Sequence, residues 1–166
     1  MRATVEPVTR VKDQEGPCMR EVLHRGIEPE WIDYNGHLSE AYYVLLFGFA
    51  TDAVMDLIGI DEQYRSEQNA SLYTVEAHVR YLREVSGDAQ VTVRSGVVTA
   101  GAKKLHLAHE MVVDGNVVAT EEIMALHVAG EPASTAPFPE AIAARIADLG
   151  TVAPDWTGRS IKLKQP

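Results

Sequence analysis

Trp31-Ile32-Asp33-Tyr34-Asn35-Gly36-His37-Leu38-Ser39-Glu40-Ala41-Tyr42-Tyr43 joins a tight turn to the start of a long apolar segment. Asp and Asn bond their own backbone in turns and Gly tolerates positive φ, so Asp33-Tyr34-Asn35-Gly36 is sound turn chemistry by itself. The segment that follows supports a second reading. A helix start presents backbone N–H groups with no intrahelical partner and a partial positive charge, and both favour an oxyanion. A carboxylate a few residues upstream can act there as nucleophile or general base. One short stretch therefore has both halves of an acyl-transfer site.

Working outward, Ser39 is placed to cap the helix and Glu40 to sit favourably beside its dipole. The helix runs to about Ile58, where Gly59 is a natural stop. Only Thr51, Asp52 and Asp56 interrupt its apolar circumference, so the spacing predicts a buried helix that something must wrap. The rest of the chain supplies the wrapping. Residues 19–27 read as a strand and residues 61–70 as a polar loop. Leu72 to Arg83 alternates, with Leu72, Thr74, Glu76, His78, Arg80 and Leu82 on one face and Tyr73, Val75, Ala77, Val79 and Tyr81 on a largely apolar one. Val91 to Thr99 and Lys103 to Val113 read as further strands. Asp114-Gly115 is a type I′ hairpin signal leading into Val117 to Val128. That last strand loses its alternation at Glu121-Glu122, which hints at a bulge or a buried interface.

The chain divides into an N-terminal arm (1–18), a main domain (19–128) and a C-terminal linker, short helix and tail (129–166). The helix is expected over Pro139 to Leu149. The fold class that fits is α+β, a curved antiparallel sheet round one long central helix. Open sheet edges invite pairing, so a homodimer is expected.

The 166 residues suffice for one core. A composition 46% hydrophobic and 23% charged is that of a globular chain. The formal net charge of -9 argues against a nucleic-acid or anionic-membrane partner, since both need a basic face. The single Cys18 excludes an internal disulfide framework and a multi-Cys zinc site, and a reducing, cytoplasmic setting is the simplest reading. The N-terminus lacks the apolar core of a signal peptide, and no apolar run is read as long enough to span a bilayer.

The element order and the Asp33, Gly36, His37, Leu38 and Tyr43 positions resemble the hot-dog fold acyl-CoA thioesterases, in the superfamily of 4-hydroxybenzoyl-CoA thioesterase. Where that family carries two Asn residues this chain has Ser39-Glu40. A narrower resemblance, to the betainyl-CoA thioesterases of bacterial carnitine catabolism, rests on Glu30 to His37 and on Tyr73 to Leu82.

The resemblance implies hydrolysis of an acyl-CoA thioester without a metal or other cofactor. It assigns the attacking or water-activating carboxylate to Asp33, with the Gly36 and His37 N–H groups facing the carbonyl oxygen. It also implies a site at the interface of a homodimer, or of a tetramer of dimers. The His37 side chain could take part or could simply cap the turn. Trp31, Tyr42, Tyr43 and Tyr73 are core candidates that could equally hold a trimethylammonium group against their faces. Glu76 could be a second carboxylate, could join those rings around the trimethylammonium group, or could be an ion-pair partner of Arg80. Lys103, Lys104, Arg80 and Arg83 are the cations to search for CoA phosphate contacts. His78, His106, His109 and His127 lack ligand spacing and read as structural.

Overall fold

The computed structural model describes residues 18–159 and residue 161; the arm expected over 1–18 lies outside them except for Cys18. Strand β1 (Arg20–Gly26) leads through a single 3₁₀ turn (Pro29–Trp31) and the Asp33 turn into helix α1 (Glu40–Ile58). A short helix α2 (Glu62–Gln68) precedes β2 (Ala70–Tyr81), β3 (Gln90–Ala100), β4 (Lys104–Val113) and β5 (Asn116–Ala129). A two-residue strand β6 (Ser134–Thr135) and helix α3 (Glu140–Asp148) follow. The sheet order is β1-β3-β4-β5-β2, with β6 pairing β5, and every pairing is antiparallel.

Helix α1 lies in the concavity of that sheet. Leu46, Phe47, Ala50 and Ile58 are fully buried, as are Val91 and Val93 of β3 and Leu105, Leu107 and Met111 of β4. Burying each large side chain stabilises the fold by roughly 1.5–3 kcal/mol. The wrapping covers one side only. Val44, Leu45 and Leu57 remain 43%, 39% and 51% exposed, so the chain by itself leaves an apolar flank of the helix in solvent. The reading that no apolar run could span a bilayer also needs correction: α1 has the length and hydropathy of a span, and its lodging in the sheet is the reason for that composition.

The sheet curves through bulges. Every pairing but the short β5–β6 one slips once in register, and the extra residues are Val22, Val75, Val98 and Val118. A bulge bends its strand and increases the local twist. The bulge at Val75 also overturns the face assignment expected for β2. Alternation through the whole strand put Tyr73 and Val75 with Val79 on the apolar face. One inserted residue reverses that relation. Leu72 is buried and Val79 packs on the core, whereas Tyr73 and Val75 are 52% and 56% exposed. The irregular β5 alternation has another cause than a bulge at Glu121-Glu122: the slip falls at Val118, and both glutamates are buried.

The polar loop expected at 61–70 contains α2 instead. The Asp61 carboxylate accepts the Tyr64 N–H at 2.8 Å as an N-cap, and Asn69 closes the helix with φ 45°. None of its residues is buried, so no apolar period announces it. The Asp114-Gly115 hairpin has both φ values positive (48° and 76°), as a type I′ turn requires. Ile142 and Ile146 of α3 join the main core. The chain beyond α3 lies along the sheet: Val152 N–H donates to Val97 C=O (2.8 Å), and Trp156 donates to Glu110 (3.2 Å).

Gly59 ends α1 with φ 86°, and a Cβ there would run into the Arg145 guanidinium of α3. Gly59→Ala is expected to lower stability by about 1–2 kcal/mol, read as a drop in the denaturation midpoint, because it combines left-handed backbone with that overlap.

Candidate active site

The Asp33 carboxylate is held within its own turn. Oδ1 accepts the Asn35 N–H at 2.8 Å and, more distantly, the His37 N–H at 3.4 Å. Asp33 N–H donates to His37 C=O (2.9 Å), and Gly36 N–H donates back to Asp33 C=O (3.0 Å). Gly36 makes this closure possible with φ 83°. Leu38 N–H then donates to Val85 C=O (2.8 Å), and Ser39 N–H to Trp31 C=O (2.9 Å), which fixes the turn against the start of α1. Gly36, expected to offer its N–H to a substrate oxygen, has that N–H engaged inside the turn.

Free donors lie slightly further on. The Ser39 backbone has N-cap geometry, but its hydroxyl makes no capping bond. Tyr42 N–H is taken by Ser39 C=O (3.0 Å). Among the described residues the N–H groups of Glu40 and Ala41 have no partner at the positive end of a 19-residue helix. They suit a developing oxyanion, which preorganised donors stabilise most where water is excluded. The His37 imidazole turns outward to Glu84, with Nε2 3.4 Å from the carboxylate.

Behind the first turn of α1 stands an aromatic pair. Tyr43 is buried, and its hydroxyl donates to Arg83 C=O (3.3 Å). Its ring meets the edge of Tyr81 at a centroid distance of 5.2 Å. Burial is the main cause that raises the Tyr43 hydroxyl above its ordinary range; a bond from the Val85 backbone opposes it, and Glu84, Tyr81 and Asp33 add to it. The Tyr81 hydroxyl lies 3.5 Å from Glu40 C=O. It too is raised by burial first, then by Glu40 and Glu121.

Glu121 is a buried ionisable residue that sequence reasoning did not single out. It lies on the inner face of β5, opposite Val79 of β2 and His109 of β4, and is only 3% exposed. Burial pushes its carboxyl up to about 7. The signal was present in the broken alternation at Glu121-Glu122, but only the register shows which of the two faces inward. Its neighbour His109 is fully satisfied. The Thr51 hydroxyl donates to Phe47 C=O (3.1 Å) and so accepts from His109 Nε2 (3.2 Å), which leaves Nδ1 to accept from the Ser95 hydroxyl (2.7 Å). Burial holds this imidazole neutral, with its pKa lowered to about 3.

The remaining candidates are dispersed. Trp31 is buried, stacks on Tyr42 at 5.5 Å, and has the Arg25 guanidinium over its ring at 4.8 Å. Tyr73 stands exposed on the edge strand β2. Glu76 is exposed on the convex face of β2 and pairs with no Arg80. Lys103 and Lys104 lie at the β3–β4 turn, the opposite end of the sheet from Asp33, while Arg80 and Arg83 lie near it. On the convex face Glu122 accepts from Gly158 N–H (2.7 Å) and Arg159 N–H (3.3 Å) and pairs with His106 (2.9 Å) and His78 (3.3 Å). His127 meets the Tyr64 hydroxyl and Ala136 C=O, both at 2.9 Å. Among the described residues no group of three or more His, Cys, Asp or Glu is placed to hold a metal ion.

The architecture is the hot-dog fold, and the chain belongs to the thioesterase-like superfamily, whose family model matches residues 27–146. Among its relatives is the betainyl-CoA thioesterase of Pseudomonas aeruginosa, 40% identical over 142 residues, covering 81% of this chain and 89% of that protein. The L-carnitine dehydrogenase/betainyl-CoA thioesterase of Ruegeria pomeroyi is 37% identical over 145 residues, covering 84% of this chain and 30% of that longer protein. A solved structure of a candidate thioesterase from Pseudomonas putida KT2440 superposes with a TM-score of 0.77 at 38% identity, covering 90% of this chain and 100% of that one.

Glu121 makes stability depend on pH. Its folded pKa lies above its unfolded value, so the unfolded chain releases the proton first and stability falls as pH rises from about 4.5 through about 7. Glu121→Gln should therefore unfold later than the parent chain at pH 8, by up to roughly 3 kcal/mol, with the gap closing near pH 4.5. Denaturant midpoints at the two pH values check this; an equal gap at both would remove the titration of Glu121 as its cause.

Proposed function

We propose that this chain hydrolyses a short acyl-CoA thioester to the free acid and CoA, and that the acyl group is betainyl. The observation that carries the proposal is the pairing of Asp33 with two unpartnered N–H groups, those of Glu40 and Ala41, at one helix start. The thioester carbonyl oxygen accepts from these donors, and the Asp33 carboxylate attacks the carbonyl carbon or deprotonates a water that does. Negative charge builds on the oxygen and is met by the donors and the helix dipole. CoA then departs as a thiolate, a good leaving group near neutral pH, which removes the need for a strong general acid; where Asp33 itself has attacked, water hydrolyses the mixed anhydride left on it, releasing the free acid and restoring the carboxylate. The Pseudomonas aeruginosa relative supports the choice of acyl group, as do the aromatic rings next to this helix start.

The working unit in this proposal is a homodimer, or a tetramer built from it, in a cytoplasmic setting. Strand β2 ends the sheet with an unpaired edge that exposes Tyr73 and Val75, and the uncovered flank of α1 exposes Val44 and Leu45. Pairing two β2 edges joins two sheets and removes both liabilities. In an antiparallel pairing the second copy's sheet runs in reverse. The Lys103-Lys104 end of one copy then lies alongside the Asp33 end of the other, where CoA phosphates need cations.

A thiol-release assay over a panel of acyl-CoA thioesters, betainyl-CoA included, tests the activity. Turnover of betainyl-CoA above the aromatic and simple aliphatic members is expected. Binding of acyl-CoA with no thiol release would make the chain a binding module instead. Asp33→Asn should keep the fold and nearly the parent KM while losing at least about tenfold in kcat, or about 1.4 kcal/mol of barrier. Retention of more than about a tenth of the rate would remove Asp33 from the chemistry. Light scattering at micromolar concentration should return at least twice the chain mass of 18.2 kDa. A stable, active monomer would contradict the dimeric site.

A further inference from the structure

We propose that Glu121 is the specificity-determining carboxylate that receives the cationic end of the acyl group, beside the ring of Tyr81. The inference rests on the betainyl-CoA reading and adds to it the residue that reads the charge. Glu121 is buried to 3% exposure, yet neither oxygen accepts a hydrogen bond from any described residue. Buried carboxylates are ordinarily hydrogen-bonded or ion-paired, because an unpaired one is costly. The next glutamate shows what a structural carboxylate looks like here: Glu122 has two backbone N–H groups and two imidazoles on it.

Among the described residues the sealed side-chain atoms without partners are the Nε atoms of Arg20 and Arg94. The Glu121 oxygens are also unpartnered but are not among these sealed atoms. The register partner of Glu121 on β2, Val79, is two residues from Tyr81, at the end of β2 nearest the Asp33 turn. Tyr81 feels the Glu121 charge on one side and approaches Glu40 of the first helical turn on the other. Tyr43 packs on Tyr81 and feels Asp33. Tyr81 thus connects the β2–β5 pairing that holds Glu121 to the first turn of α1.

A quaternary ammonium suits this arrangement. It has no N–H to donate, so it needs no aligned acceptor, and it is held by aromatic faces and by an opposite charge nearby. In betaine the nitrogen is two bonds from the thioester carbonyl carbon, so the reading group must be within a side chain's reach of the helix start. The groups that face Glu121 leave the negative charge uncompensated. His109 from β4 is neutral and Tyr81 from β2 is uncharged at neutral pH. Glu122 points to the other face of β5. Glu76, the acid proposed from sequence for this role, is exposed on the convex side.

The test compares betainyl-CoA with its carbon isostere, tert-butylacetyl-CoA, on the full chain. The parent enzyme should favour the cation by at least about tenfold in kcat/KM. Glu121→Gln should abolish most of that preference, losing about tenfold or more on betainyl-CoA while holding or gaining on the isostere. A loss shared equally by both substrates, or an unchanged preference, would overturn the role of Glu121 and leave the betainyl-CoA reading intact. Equal rates of the parent enzyme on both would overturn that reading and this inference together. A second measurement needs no variant. In the parent enzyme the ratio of the two kcat/KM values should fall as pH drops from about 8 to about 6, because protonated Glu121 no longer attracts the cation. Asp33 acts on both thioesters and cancels in the ratio. A ratio flat across that range would count against Glu121.

Discussion

A 19-residue helix with Leu46, Phe47, Ala50 and Ile58 at zero exposure must be enclosed on its apolar side, and the rest of the structure follows from that enclosure. A flat sheet touches a helix along one line. Enclosing it requires curvature, which bulges at Val22, Val75, Val98 and Val118 introduce into four of the strands. The inner faces of β3 and β4 then meet α1 with valine, leucine and methionine, and the helix start is held at the end of the sheet where β2 finishes and β3 begins.

That position makes the turn before the helix chemically useful. Bonds from Leu38 to Val85 and from Ser39 to Trp31 anchor it on two sides, so Asp33 cannot drift from the donors of the first helical turn. The missing Ser39 cap belongs to the same design. A hydroxyl bonded to the N-terminal N–H groups would occupy the donors that an oxyanion needs. The helix gives up local stabilisation of about 1 kcal/mol and keeps its donors open.

Two polar residues under the helix, side by side on neighbouring strands, show how differently a core can treat ionisable groups. His109 has each ring nitrogen matched to a hydroxyl and stays neutral. Glu121, its register partner, has no match, and its proton is retained to about pH 7. The first arrangement stabilises the fold. The second costs stability at neutral pH, a trade characteristic of functional positions.

Much of this was legible in the residues themselves. The apolar circumference of Leu45 to Ile58, the stop at Gly59 and the Asp114-Gly115 hairpin are local signals, because backbone freedom and helical period act over a few neighbours. The Asp33 turn was legible for the same reason. Tertiary structure decided what depends on register. Whether Tyr73 or Leu72 faces the core turned on one extra residue at Val75, and no alternation along a single strand reveals an insertion relative to its partner. The short helix at Glu62–Gln68 buries nothing and so left no apolar period to read. The donors at Glu40 and Ala41 became identifiable only once the Gly36 N–H was seen to close its own turn. Glu121 and Glu122 are adjacent and identical as letters. The pleat sends one toward the helix and the other toward the tail, and strand pairing across the sheet supplies that direction.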